Sequence, residues 1–398
     1  MSFEITFLGS SGGPIEGTNC SILLKPAGIT YEEIVDQNLV DELVCIDAGS
    51  GLHSLAEIIN QEQIHQKPDS KLLSLYTNPL SPTQYLAPTV RSSTPFKSLP
   101  GTCFRAAQNI CKNLQNYLIT HPHLDHINAL VINSSSFSKS NPKQVWGSDY
   151  TIDALQTHVF NGVIWPKLNQ FNLVNFQRQE FWNIFTINND NYLVTMVDLS
   201  HGKTGEESVC NSKLNHINNN NNNNNINNNV NHNSFNSQNN TPKHECYLSS
   251  GFFITSTRIN KSVLIFGDFE SDLMSSLSKN LRAWKFAAPL IISKQLVAMV
   301  LECSNQNDLN EDELYGHLIP DHLIHELQVL ESTVSLLRTD NELHPLKGFN
   351  IIINHIKEPP DTDKDPRQSI LRELNRLNSE VGLGINFSIG LSGMSLII

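Results

Sequence analysis

The chain has 398 residues, 39% hydrophobic and 17% charged, enough apolar material for a large core and too much for a wholly disordered polymer. Its 27 basic and 39 acidic residues sum to −12, which leaves no general basic surface to hold a long polyanion by counterion release and argues against a nucleic-acid partner. No stretch of 18 apolar residues occurs, and Met1 to Gly9 alternates like a strand rather than a signal peptide, so the expectation is a soluble cytoplasmic protein with no membrane partner.

In chain order, the first strand-like apolar runs are Ile5 to Leu8 and Leu43 to Ile46. The segment 61–101 carries Pro68, Pro79, Pro82, Pro88, Pro95 and Pro100, which break any long helix or central strand, and it reads as an inserted loop. Phe104, Ala107, Ile110, Cys111 and Leu114 then mark the apolar face of a helix that Thr102 can cap. Tyr117 to Thr120 is a further strand, running into a polar turn and a helix. Tyr192 to Val197 follows. From Asn211 to Asn240, 18 of 30 residues are Asn and Lys213 is the only charged one, so 203–244 is expected to be a disordered insertion with almost nothing to bury.

Beyond it, Phe252 to Thr255, Val263 to Phe266, Leu296 to Leu301 and Phe349 to Asn354 are strand-like, and Leu323, Ile324, Leu327 and Leu330 repeat a helical spacing behind Asp321. No internal repeat is visible, which removes solenoids and propellers. The seven cysteines are odd in number and contain no CxxC, so they read as reduced core residues rather than a disulfide framework or thiolate zinc site. Strands alternating with helices define an α/β protein, and the polar loops after those strands are where such folds place ligand sites.

The densest chemistry is His121-Pro-His123-Leu-Asp125-His126 between that strand and helix. With 15 His in 398 residues, roughly 0.02 chance matches to His-x-His-x-x-His are expected, so the spacing signals a built site rather than a solvated turn. Alternation along the turn aims His121 and His123 at one point and Asp125 and His126 at a second, which suits two metals. Three other strand ends offer further donors. His201 follows the strand 192–197, Asp268 follows Val263 to Gly267, and His355 ends the run Phe349 to Asn354. Each is weak alone, and a carboxylate at Asp268 can bridge two cations.

The turn, followed by Ile-Asn-Ala-Leu-Val-Ile, resembles the metallo-β-lactamase superfamily motif in the form used by class II cyclic nucleotide phosphodiesterases. Further blocks carry the resemblance in order: Phe7-Leu-Gly-Ser-Ser-Gly-Gly-Pro-Ile-Glu-Gly17, Ile46-Asp-Ala-Gly-Ser-Gly51, Phe160-Asn-Gly-Val-Ile-Trp-Pro166, Ser200-His-Gly, Phe266-Gly-Asp-Phe-Glu-Ser-Asp272, Glu302-Cys-Ser304, Leu314-Tyr-Gly-His-Leu318 and Asn354-His-Ile-Lys357. Ala129 departs from the family's usual Gly or Ser. The resemblance implies one αββα sandwich spanning 1–398, two facing mixed sheets with helices outside.

It further implies His121, His123 and His201 on one zinc, Asp125, His126 and His355 on the other, and Asp268 bridging both; imidazole and carboxylate donors also accept manganese or iron. The implied substrate is a 3′,5′-cyclic nucleotide, cAMP and possibly cGMP, hydrolysed to a 5′-monophosphate so that the cyclic-nucleotide signal falls. His317 is the candidate acid for the leaving oxygen, against a reading as a helix-entry histidine. Glu302 would orient His317, and Lys357 would neutralise a phosphate oxygen. Asp47 reads as a residue that fixes loops rather than a ligand, the Gly9 to Gly13 run as a tight bend, and His158 and Trp165 as core residues rather than a base pocket. A homodimer is compatible with this reading. The alternatives are another hydrolase of the fold, acting on RNA 3′ ends, thioesters or lactones, and a non-catalytic zinc-binding interaction protein.

Overall fold

The structure is a computed structural model, and it describes residues 2–67, 69–203, 246–338, 344–360 and 362–398. The N-terminal half builds one sheet from β1 (Phe3–Gly9), β2 (Ser21–Pro26), β3 (Val44–Ile46), β4 (Arg91–Ser93), β5 (Asn116–Leu118), β6 (Lys143–Gly147) and β7 (Val174–Arg178). The following part builds a second from β8 (Ile184–Ile187), β9 (Tyr192–Lys203), β10 (Cys246–Ser256), β11 (Lys261–Phe266), β12 (Leu296–Glu302), β13 (Asn350–Asn354) and β14 (Asn386–Ile389). The last strand, β15 (Ser395–Ile397), returns to the first sheet between β1 and β4. The strand orders are β4-β15-β1-β2-β3-β5-β6-β7 and β14-β13-β12-β11-β10-β9-β8.

Period-two alternation explains the layering. Phe3, Ile5 and Phe7 on β1, Ile22 and Leu24 on β2, and Val44 and Ile46 on β3 join the core shared with the second sheet. Their neighbours Leu8, Leu23 and Cys45 point to the opposite face and pack on the helices Leu52–His65 and Cys103–Asn113 through Leu55, Ile59, Ala107 and Ile110. The helices Lys279–Ile292 and Pro320–Leu337 cover the second sheet through Trp284, Leu323 and Leu327. Both sheets are therefore covered outside and joined inside, the expected αββα sandwich. Among the described residues, no helix is long and apolar enough to cross a membrane.

Several readings need correction. The helix Leu52–His65 runs past Gln61, because Pro68, the first proline, lies beyond its end and removes no interior hydrogen bond. The rest of 61–101 is not a free loop. It makes two 3₁₀ turns and the edge strand β4, and it buries Leu72, Leu73, Tyr85 and Phe96. The Tyr76 and Tyr85 hydroxyls donate to Glu358 and Asp365, tying it to the loop after β13. β5 stops at Leu118, two residues short of Thr120. His201 lies within β9 rather than after it, because β9 and β10 pair well beyond the apolar run that marks them in sequence. Residues 204–245, most of the Asn-rich segment, lie outside the described residues.

Candidate metal centre

Every predicted ligand emerges at the rim where strands of the two sheets end. After β5, the backbone turns at Ile119 and Thr120 and delivers His121; His123 is the N-cap residue of the helix Leu124–Asn133, and its side chain makes no capping hydrogen bond. Asp125 and His126 follow in the first turn of that helix. Asp268 stands two residues beyond β11 and His355 one residue beyond β13. His355 adopts φ 55°, a left-handed conformation that redirects its side chain off the strand and that non-glycine residues adopt mainly where the surroundings enforce it.

The structure brings all seven side chains together. Donor atoms of His121, His123, His201 and Asp268 lie within 4.8 Å of one another, as do those of Asp125, His126, Asp268 and His355. Asp268 belongs to both groups. Its Oδ2 is 3.6 Å from His121 Nε2, 3.7 Å from His201 Nε2 and 3.2 Å from His355 Nε2, while its Oδ1 is 3.3 Å from His126 Nε2. Asp125 Oδ2 is 3.2 Å from His355 Nε2, and His123 Nδ1 is 3.3 Å from His201 Nε2.

Surrounding contacts decide which ring nitrogen faces inward. Asp47 Oδ2 sits 2.7 Å from His126 Nδ1, while its Oδ1 accepts from the Thr120 amide at 2.8 Å. Thr120 Oγ1 is 3.0 Å from His121 Nδ1, Gly316 O is 3.0 Å from His201 Nδ1, and Ser304 Oγ is 2.9 Å from His355 Nδ1. In each case Nε2 is left for the centre. His121 Nε2 and His126 Nε2 are buried with no hydrogen-bond partner, and buried polar atoms of this kind require one. Four inward nitrogens around a shared carboxylate fit a pair of divalent cations.

The electrostatics divide the cluster. Burial pushes His121 well below the ordinary histidine value and His201 down to about 4, so both are neutral near pH 7. Burial would lower His126 and His355 too, but Asp268 with Asp47 and Asp125 outweighs it at His126, and Asp268 with Asp125 at His355, holding both above that value. Asp268 is itself buried, yet His355, His126 and His121 hold it well below the usual carboxylate range.

The other sequence-predicted residues flank this cluster. His317 Nδ1 lies 2.9 Å from Glu302 Oε1 and 3.9 Å from Asp268 Oδ2, and its ring stands 4.7 Å from the His201 ring and 5.1 Å from the His355 ring. Gly316 permits that approach. It has φ 81°, and a Cβ there would fall 2.4 Å from the Gly202 amide nitrogen, so only glycine lets the loop press against β9. Lys357 lies two residues past His355 on the wall of a cavity shared with Gly12 and Gly13. Trp165 packs against the core of the first sheet and donates to Ser134, whereas His158 is exposed rather than packed, because the turn ending at Val159 points it outward.

Sequence reasoning gave Ser304 and Thr120 no role. Ser304 Oγ contacts Glu302, His355 Nδ1, the His355 carbonyl and, at 3.4 Å, His317 Nδ1. Cys20 also stands beside His126 and His355, but burial with the nearby carboxylates raises its thiol well above the normal value, which keeps it protonated.

A two-sheet αββα sandwich with a histidine- and aspartate-rich rim is the architecture that the sequence resemblance implies. The sequence profile of the class-II cAMP phosphodiesterases matches residues 33–393, and the chain belongs to that family. It is 45% identical to the 3′,5′-cyclic-nucleotide phosphodiesterase of Candida albicans, covering 100% of both chains, and 31% identical to 3′,5′-cyclic-nucleotide phosphodiesterase 1 of Saccharomyces cerevisiae, covering 100% of this chain and 99% of the other. The crystal structure of unliganded yeast PDE1 superposes with a TM-score of 0.79 at 26% identity, over 100% of this chain and 99% of that one.

Proposed function

We propose that this protein hydrolyses 3′,5′-cyclic nucleotides to nucleoside 5′-monophosphates, with cAMP and cGMP as substrates, at a centre of two zinc ions. His121, His123 and His201 would hold one ion, Asp125, His126 and His355 the other, and Asp268 both; the observation that carries this reading is the pair of donor groups sharing Asp268. A bound dication pair supplies Lewis acidity to the phosphate oxygens and lowers the pKa of water at the site. Zinc suits a set dominated by imidazole; manganese and iron are the alternatives.

The chain's own residues supply the rest. As the P–O3′ bond breaks and a water oxygen takes its place on phosphorus, O3′ needs a proton. His317 would give it: Glu302 engages Nδ1, which fixes the tautomer and leaves Nε2 as the donor. Glu302 is held below its ordinary range despite burial by His317 and the hydrogen bond to it, so it stays anionic. Lys357 has no carboxylate within ion-pair reach among the described residues, which leaves its ammonium available to a phosphate oxygen. Six described cysteines are free and four of them buried, in keeping with a reducing cytoplasmic setting where the enzyme would lower a cyclic-nucleotide signal.

Product identity tests the reading. Protein loaded with zinc and given cAMP is expected to yield 5′-AMP. Formation of 3′-AMP, or no product with two metals bound per chain, contradicts it.

A further inference from the structure

We propose that Ser304 is a positioning residue that ties His355, a ligand of the second cation, to the acid pair Glu302 and His317, so that one hydroxyl orients both. This inference rests on the roles given to those residues above and adds how they are joined. Strand alternation creates the junction. Beyond the end of β12 at Glu302 the chain keeps pairing alongside β13: the Cys303 amide donates to the Asn354 carbonyl at 3.4 Å, and the Lys357 amide to the Ser304 carbonyl at 3.0 Å. Cys303 is turned into the core, so Glu302 and Ser304 share the opposite face, toward the centre.

Hydrogen-bond accounting fixes the direction of each contact. Glu302 Oε1 accepts from the Phe269 amide at 2.9 Å and lies 2.9 Å from His317 Nδ1. Its Oε2 accepts from the Leu318 amide at 3.3 Å and from Ser304 Oγ. Ser304 Oγ also lies 2.7 Å from the His355 carbonyl oxygen and 2.9 Å from His355 Nδ1. A hydroxyl has one proton and two lone pairs. The carboxylate and the carbonyl can only accept, so whichever takes that proton, Oγ presents a lone pair to Nδ1. A neutral His355 therefore carries its proton on Nδ1 and turns an unprotonated Nε2 toward Asp125 Oδ2 and Asp268 Oδ2, each 3.2 Å away. An unbroken path thus runs from His355 Nδ1 through Ser304 Oγ and Glu302 to His317 Nδ1, beneath two stacked imidazoles 5.1 Å apart.

Two features mark this as a built contact. Ser304 is 1% exposed, so water has no room to replace its hydroxyl. The same oxygen also holds both the ring and the carbonyl of a non-glycine residue at φ 55°, a conformation that persists where the surroundings enforce it. The contrast with His126 is informative. That ring meets its carboxylate, Asp47, directly, whereas His355 meets Glu302 through Ser304. The other route between acid and cation site is Coulombic and runs through Asp268, 3.9 Å from His317 Nδ1.

Stepwise zinc constants, measured by chelator competition, provide the test, and His355→Ala identifies which constant belongs to the second site. In Ser304→Ala that constant should weaken about 10- to 100-fold, the usual effect of removing the partner of a metal-binding histidine, with the first-site constant within twofold of the parent. Glu302→Gln should weaken the same site. The double variant should lose no more than twofold beyond the larger single loss, because both residues act along one path. A second-site constant within twofold of the parent in Ser304→Ala, equal weakening of both sites, or additive losses in the double variant would overturn the coupling, the last by assigning it to the route through Asp268. In the zinc-loaded parent, long-range ¹H–¹⁵N spectra of labelled histidine should show His355 protonated at Nδ1 alone; a proton on Nε2 overturns the assignment whatever the variants do. These readings do not depend on turnover, so a parent that makes no 5′-AMP from cAMP contradicts the phosphodiesterase reading alone.

Discussion

Four of the predicted ligands sit within six residues of one another, and that turn alone marks the centre in sequence. His201, Asp268 and His355 are single residues at strand ends, identifiable chiefly through the family resemblance. The contacts that aim the imidazoles were not legible, because they join positions far apart in the chain: Asp47 to His126 across 79 residues and Ser304 to His355 across 51. Two predictions belong at this scale. His317→Ala should lower kcat for cAMP by about 10²- to 10⁴-fold, the usual contribution of a positioned acid, while metal content stays at two per chain; unchanged kcat would return His317 to a structural role.

The second concerns pH. His126 and His355 have raised pKa values in the metal-free protein, so below those values they carry protons that a cation must expel, and affinity at their site falls as pH falls. His121 and His201 are already neutral, and the site they share with His123 should keep its cation until pH nears the value of about 4 at His201. Equilibrium dialysis from pH 8 to pH 5 should thus show two metals per chain becoming one, which stays bound at pH 5. Loss of both in a single step would contradict the division.

Among the elements, the long apolar strands β11, β12 and β13 were legible because both of their faces are buried and their runs are unbroken. β4, β6, β7, β8, β14 and β15 were not, being short or of mixed polarity and defined by their partners; β15 and β4 pair across some 300 positions. β2 was missed because it buries Lys25, which the cross-strand neighbour Glu4 neutralises. The Pro-rich segment concealed its role for the same reason, since Tyr76 and Tyr85 act on a loop near the other end of the chain.

That loop is held by Arg367, whose guanidinium bonds Glu358 and Asp365 with 1% of its side chain exposed. Arg367→Met would leave two buried carboxylates without their cation, and denaturant unfolding should show a loss of about 3–5 kcal/mol. Tyr85→Phe removes one hydrogen bond to Asp365 and should cost about 1–3 kcal/mol. Equal small losses in the two variants would show that the network does not anchor the loop.

Across the whole molecule, the sandwich does one thing for function: it brings the loops after β5, β11, β12 and β13 and the end of β9 to a single rim. Its layering follows from strand alternation, and the resemblance in the sequence already implied it. β9 and β10, which flank residues 204–245 in the sequence, pair up to Lys203 and Cys246, and His201 is hydrogen-bonded to Gly316. Cations binding this rim bind only the folded chain, and zinc at 100 times its dissociation constant should add about 2.7 kcal/mol to the unfolding free energy for each site filled. On the proposed function, seven donors on separate stretches of chain would hold two cations that catalysis requires. Titrating zinc into chelator-treated protein while following 5′-AMP formation from cAMP tests it most directly. Activity should be absent without metal and should rise until two equivalents per chain are bound; full turnover in the metal-free protein, or saturation at two equivalents with no 5′-AMP, would contradict it.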